Sequence, residues 1–134
     1  MSSELLEMMP IKSDGDIVRI RRRTRDLSKA QGFKLADVTR VVTAASELAR
    51  NIYHYAQEGT VHCYALTEGR RKGIKLVFED KGPGIEDIEL VMEEGYSTGN
   101  SMGLGLPGAK RLVDKITIES EMGNGTKVEI IKWM

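Results

Sequence analysis

Three short stretches of this 134-residue sequence hold residue types whose spacing permits chemistry. In "SELARN", Glu47 and Asn51 stand four residues apart, which on a helix places them on one face, one turn from each other. Thr43 extends the same polar line. A carboxamide oxygen can ligate Mg²⁺, which takes hard oxygen donors and keeps water and substrate phosphates. A carboxylate one turn away can accept the proton of an attacking hydroxyl. The partly exposed edge of an amphipathic helix would use the same residues. In "EDKGPGI", Asp80 ends an apolar run and Gly82 and Gly84 follow. This is good turn chemistry. It is equally an acceptor for an exocyclic amine, such as adenine N6, with glycines that let a purine lie against the backbone. In "GNGT", Gly125 offers a tight turn and Thr126 a hydroxyl at the start of a strand.

A fourth stretch, "GLGLPG", has the spacing G-x-G-x-x-G of a dinucleotide fingerprint. Such a fingerprint requires a strand running straight into the glycines. Here the polar "EEGYSTGNSM" precedes them, and they fall late in the chain. There is no G-x-x-x-x-G-K-[ST], H-R-D or D-F-G either. A physical reading survives. Glycines at a helix start let backbone N–H groups and the helix dipole hold an anion. Gly103, Leu104, Gly105 and Leu106 are that start, Pro107 fits the first turn, and Gly108 is assigned to close packing.

The elements that must position these residues follow from periodicity. Residues 5–12 read as a strand, and "SDGD" as a cap and turn. Residues 16–31 read as a helix with Ile17, Ile20, Thr24 and Leu27 on one face, stopped by Gly32. Arg19, Arg22, Arg23 and Arg25 spread over its other side, with Arg21 at the edge, as a solvated face or as a docking surface for an acidic protein. Residues 35–56 form a second helix with an apolar stripe of Val38, Val41, Val42, Ala45, Leu48, Ala49 and Ile52. Strands over 60–67 and 74–79 flank the turn "EGRRKG". A short helix over 88–94, a polar stretch and a helix from about 103 to 114 come next. The last strands, "KITIESE" and "KVEIIKW", flank "MGNGT". Strands at both ends with helices between them imply a two-layer α+β sandwich: a mixed, mostly antiparallel sheet covered on one face by helices.

Twenty basic residues balance twenty acidic ones, so charge gives no sign of nucleic-acid or membrane binding. The single cysteine, Cys63, forms no internal disulfide and alternates with Val61 and Ala65 as an inward strand position. No stretch reaches the roughly 20 apolar residues of a membrane span, and the N-terminus is unlike a signal peptide. The default is a cytoplasmic chain forming one domain over residues 1–134. His54 and His62 read as surface or boundary residues, and Trp133 and the tyrosines as packing.

In order and spacing, the four stretches resemble the N, G1, G2 and G3 boxes of the GHKL ATPases. These are Glu47-x-x-x-Asn51, Asp80-x-Gly82-x-Gly84 with Ile85, Gly103-Leu104-Gly105-Leu106 and Gly125-Thr126. The resemblance implies a Bergerat ATP-binding fold that uses ATP and Mg²⁺. It implies that Asn51 ligates the metal, that Asp80 binds adenine with Gly82, Gly84 and Ile85, that residues 103–106 hold the phosphates, and that Thr126 supports the base. Residues 96–102 correspond to the ATP lid. The phrases "SELARNIYHYA", "VMEEGYST", "GLPGAKRLVD" and "IIKW" look like the bacterial switch kinases of the RsbT type. That likeness implies phosphoryl transfer to a serine or threonine of a STAS-domain partner, with Glu47 as catalytic base. It also implies activation of a PP2C-type phosphatase once the kinase is released. The alternative is an anti-sigma factor that sequesters a sigma subunit.

Overall fold

The computed structural model describes residues 1–85, Met92 and residues 105–134. The described elements are β1 (Ser2–Ile11), α1 (Asp14–Gln31), α2 (Leu35–Ala56), β2 (Gly59–Glu68), β3 (Arg71–Asp80), α3 (Gly105–Leu112), β4 (Lys115–Glu121) and β5 (Gly125–Trp133). The expected helix over 88–94 and the polar stretch after it lie outside the described residues.

Local chemistry explains the helix ends. The Ser13 hydroxyl accepts from the Asp16 N–H at 3.2 Å and caps α1. The Lys12 N–H donates to the Asp16 carboxylate at 2.9 Å. Gly32 ends α1 in the left-handed region. Helix α2 has no side-chain cap at Lys34, so packing must hold it. Val38, Val41, Ala44, Ala45, Leu48, Ala49 and Ile52 are all buried. Each large aliphatic among them contributes about 1.5–3 kcal/mol when fully buried, more than a cap supplies.

The sheet order is β1-β2-β3-β5-β4. Every neighbouring pair is antiparallel, so the expected mixture contains no parallel pair. The reason is the return of the chain: β4 goes to the edge and its hairpin partner β5 inserts beside β3. Strands β3 and β4 share a direction but never touch as neighbours. The β2–β3 hairpin turns at Gly69–Arg70, tighter than the six residues "EGRRKG", because Glu68 pairs with Arg71.

One face of the sheet carries the core. Met9, Ile11, Val61, Cys63, Ile74, Leu76, Phe78, Val128 and Ile130 meet the helices there. Cys63 is fully buried, and burial, its main cause, pushes the thiol pKa up to about 12, as suits an inert packing residue. Gly108 departs from its expected role. A methyl group there would meet nothing within 4 Å among the described residues, so close packing against them does not explain it.

Candidate functional site

The site lies where the core-facing side of the sheet runs out. Strand register sets its floor. Thr126 of β5 pairs with Asp80 of β3, and Ser120 of β4 pairs with Thr126. The three therefore form one cross-strand row on the helix side of the sheet. Alternation places this row beyond Phe78 and Val128, so the apolar core gives way here to polar side chains. Helix α2 forms the facing wall through Leu48, Asn51, Ile52 and Tyr55, which recur at helical spacing. Pro83, Gly84 and Ile85 close one side, and Leu106 of α3 another.

Among the described residues that line this pocket, Asp80 is the one carboxylate. Burial raises its pKa above the ordinary carboxylate value, and backbone N–H groups of Gly82 and Thr126 oppose that rise. The Gly82 N–H donates to Asp80 Oδ1 at 2.8 Å. The turn thus holds the acceptor in place while leaving it on a mostly apolar cavity whose other polar side chains are Asn51, Tyr55 and Thr126 among the described residues. That is the arrangement a small-molecule site uses to fix one polar group of a ligand.

The glycines serve the protein's own close approaches. Gly84 sits at φ 81°, and a side chain there would meet the Glu121 carbonyl oxygen at 2.5 Å. Gly125 sits at φ 95°, and its missing Cβ position is occupied by the Asp80 carbonyl. A methyl on Gly82 would lie 2.7 Å from Ala56 Cβ. Gly82 and Gly84 are expected from the sequence to let a purine lie against the backbone; on the side where a Cβ would point, both are packed against the protein itself. What fills those positions is protein backbone and Ala56, because the loop packs down onto the β4–β5 turn and the end of α2.

The structure brings Asn51, Asp80, Gly84, Ile85, Leu106 and Thr126 around one cavity. Gly82 sits just behind it, bonded to Asp80. Gly105 begins α3, while Gly103 and Leu104 lie outside the described residues, as do residues 96–102. Glu47 precedes Asn51 by one turn, outside the cavity lining. Its side chain is 41 % exposed and pairs with Arg50 at 3.2 Å. Thr43 is exposed. Tyr55, read from sequence as packing, lines the cavity, and its place four residues after Asn51 is the signal that could have found it. Leu48, Ile52, Phe78, Pro83 and Val128 were not singled out as site residues. The inward periods of helix and strand mark most of them.

An Mg²⁺ ion would find one hard protein donor among the described lining residues opposite Asp80, Asn51. Among the described residues no group of three or more His, Cys, Asp or Glu could hold a metal. The Asn51 amide oxygen would be one hard donor, and phosphates and water would complete the shell, as Mg²⁺ prefers. No helix among the described residues is long and apolar enough to cross a membrane.

Comparison with known proteins agrees with this geometry. The family model for histidine kinase-, DNA gyrase B- and HSP90-like ATPases matches residues 36–133. The serine/threonine-protein kinase RsbT of Bacillus subtilis is 46% identical over 124 residues, covering 92% of this chain and 93% of that protein. An anti-sigma F factor of Clostridium kluyveri is 34% identical over 100 residues, covering 70% of this chain and 69% of that protein. Among solved structures, the mycobacterial sensor histidine kinase MprB superposes with a TM-score of 0.57 at 18% identity, over 95% of this chain and 96% of that one. The catalytic domain of histidine kinase ThkA gives 0.55 at 16% identity, over 96% and 98%. At these identities the two structures speak for the fold alone.

Proposed function

This chain belongs to the histidine kinase-, DNA gyrase B- and HSP90-like ATPase family and is a protein serine/threonine kinase, and we propose that it phosphorylates a STAS-domain protein in a bacterial partner-switching pathway. The observation that carries the reading is the facing of Asn51 on α2 and Asp80 on β3 across one mostly apolar cavity. Asp80 accepts from the amine of adenine, and Thr126 supports the base. Asn51 would hold Mg²⁺ against the phosphates, and such an ion, when bound, would supply neutralising charge for the transferred group. Backbone at the start of α3 holds phosphate oxygens.

Glu47 takes the proton from the partner's serine or threonine hydroxyl. Its pairing with Arg50 does not oppose this, because an exposed ion pair is worth about 1 kcal/mol or less. The remainder of catalysis is positioning and charge stabilisation, as in phosphoryl transfer generally. The kinase works in the cytoplasm as one ATP-binding domain. Once its STAS partner is phosphorylated, it is released to activate a PP2C-type phosphatase. These partner assignments are supported by the RsbT-type phrases and by the 46% identity.

The test is a transfer assay with Mg-ATP labelled at the γ-phosphate and a panel of STAS domains. Label appearing on a STAS serine or threonine is expected. ATP binding without transfer would overturn the kinase role. The anti-sigma F relatives favour a second reading, sequestration of a sigma subunit. Capture of a purified sigma subunit, in the absence of transfer to any STAS domain, would select it.

A further inference from the structure

Ser120 belongs to none of the four sequence stretches and does not line the cavity, yet it joins three parts of it. Its Oγ accepts the Ile85 N–H at 2.7 Å. It lies 2.9 Å from Thr126 Oγ1 and donates toward the Gly125 carbonyl, 3.1 Å away. The β4–β5 register sets Ser120 beside Thr126, and Ile85 reaches them from 35 residues away in sequence.

A serine hydroxyl has one proton to give and two lone pairs. The Ile85 N–H can only donate, and the Gly125 carbonyl can only accept. The assignment that satisfies every group sends the Ser120 proton to Gly125. The second Ser120 lone pair then receives the Thr126 proton. Thr126, which lines the cavity, is then left with oxygen lone pairs and no free proton to offer a ligand. Its backbone N–H is already committed to Asp80. The base end of the cavity thus presents two acceptors side by side, the Asp80 carboxylate and the Thr126 hydroxyl oxygen.

From this we infer that Ser120 is a positioning residue that sets the direction of the Thr126 hydroxyl and so makes the site select a purine carrying a 6-amino group over one carrying a 6-oxo group. A 6-amino group donates to such a pair of acceptors. A 6-oxo oxygen brings no donor to this pair, and the single N1–H beside it can serve at most one of the two acceptors, so a buried polar group is left unpaired, which is the strong form of discrimination. Without the Ser120 oxygen, Thr126 is free to turn and donate, and the Ile85 N–H loses its acceptor. The inference rests on the reading of this cavity as an adenine-nucleotide site.

The test is calorimetric titration of ADP and of IDP into the intact protein and its Ser120→Ala, Ser120→Cys and Ser120→Thr variants. Melting temperatures are recorded alongside. Ser120→Cys keeps the volume and loses the strong hydrogen bonds. ADP affinity is expected to fall roughly three- to tenfold in Ser120→Ala and Ser120→Cys, the worth of about one net hydrogen bond. IDP affinity is expected to hold or rise, so that the ADP:IDP ratio shrinks. Ser120→Thr restores the ratio. A ratio unchanged in Ser120→Ala and Ser120→Cys, even with a lower melting temperature, would reduce Ser120 to a structural role and overturn the inference alone. A wild-type protein that binds neither nucleotide would overturn it together with the adenine-site reading.

Discussion

The two sides of the candidate site are built on opposite principles. On the strand side, Asp80, Thr126 and Ser120 form a row in which each polar group is bonded to a neighbour. The Asp80 carboxylate is half-buried and disfavoured in its charged form. On the helix side, Glu47 is open to solvent and paired only with Arg50, one turn along the same helix. The strand row costs stability to hold a fixed recognition surface. The helix line costs almost nothing and leaves its carboxylate free to meet a second protein. Substrate recognition and proton transfer are thus separable, and substitutions can test that separation.

The largest expected effect lies on the helix side. Glu47→Gln keeps size and removes the base, so transfer to the STAS partner should slow on the order of 100- to 10,000-fold. ADP affinity and melting temperature should stay at wild-type values, because Glu47 neither lines the cavity nor enters the core. Single-turnover transfer with calorimetry on the same sample checks both. Transfer at the wild-type rate would remove Glu47 from the mechanism and leave the nucleotide site standing.

The next effect lies on the strand side and has the opposite signature. Asp80→Asn replaces a charged acceptor facing the base, and nucleotide affinity should fall roughly 10- to 100-fold. Its effect on stability is different. The folded-state pKa of Asp80 is raised by burial, so its stabilising contribution is present below the unfolded value, near 4, and is lost as pH rises through the folded value. At neutral pH the ionised carboxylate therefore weakens the fold, and the asparagine variant should be at least as stable as wild type there. Acidification should erase that advantage. Denaturant titrations at pH 7 and near pH 4 measure it. A variant less stable than wild type at pH 7 would mean that the bonds from Gly82 and Thr126 outweigh burial.

Gly125→Ala lies between recognition and fold. The residue sits at φ 95°, with the Asp80 carbonyl where a Cβ would go. Such left-handed strain alone costs about 1–3 kcal/mol, and relieving the overlap must displace the Thr126–Asp80 pairing. A lower denaturation midpoint and weaker ADP binding should appear together. Weaker binding with an unchanged midpoint would show that the turn yields without disturbing the fold.

Much of this was legible in the sequence because periodicity and turn chemistry are local. Helix α2 runs over the residues its apolar stripe marks. Asn51, Asp80, Leu106 and Thr126 do converge, since each lies on an element whose inward face can be counted, and Ile85 joins them from the loop after β3. Two features were hidden because they depend on pairing. Ser120 becomes a hub only through the register of β4 on β5. In β1, strict alternation from Ile11 and Met9 through Glu7 would carry Leu5 inward too. A bulge between Leu5 and Glu7 breaks the alternation. Leu5 ends 53 % exposed, and Glu7 keeps an inward place facing α1.

The inward place of Glu7 also divides the arginine face of α1 and gives the smallest prediction. The sequence presents Arg22 and Arg23 as equivalent members of a docking surface. The structure separates them. Arg23 donates through Nε to Glu7 Oε1 at 2.8 Å and also pairs with Asp26, whereas Arg22 is exposed. Arg23→Glu would set two carboxylates against each other between α1 and β1. It should lower the melting temperature by a few degrees, with partial recovery in the Glu7→Arg, Arg23→Glu exchange. Arg22→Glu should leave the melting temperature unmoved, so any loss of partner binding in that variant reports the surface itself. If Arg22→Glu binds each partner as wild type does, while Arg23→Glu loses both stability and binding, the arginines of α1 hold the first strand in place and dock nothing.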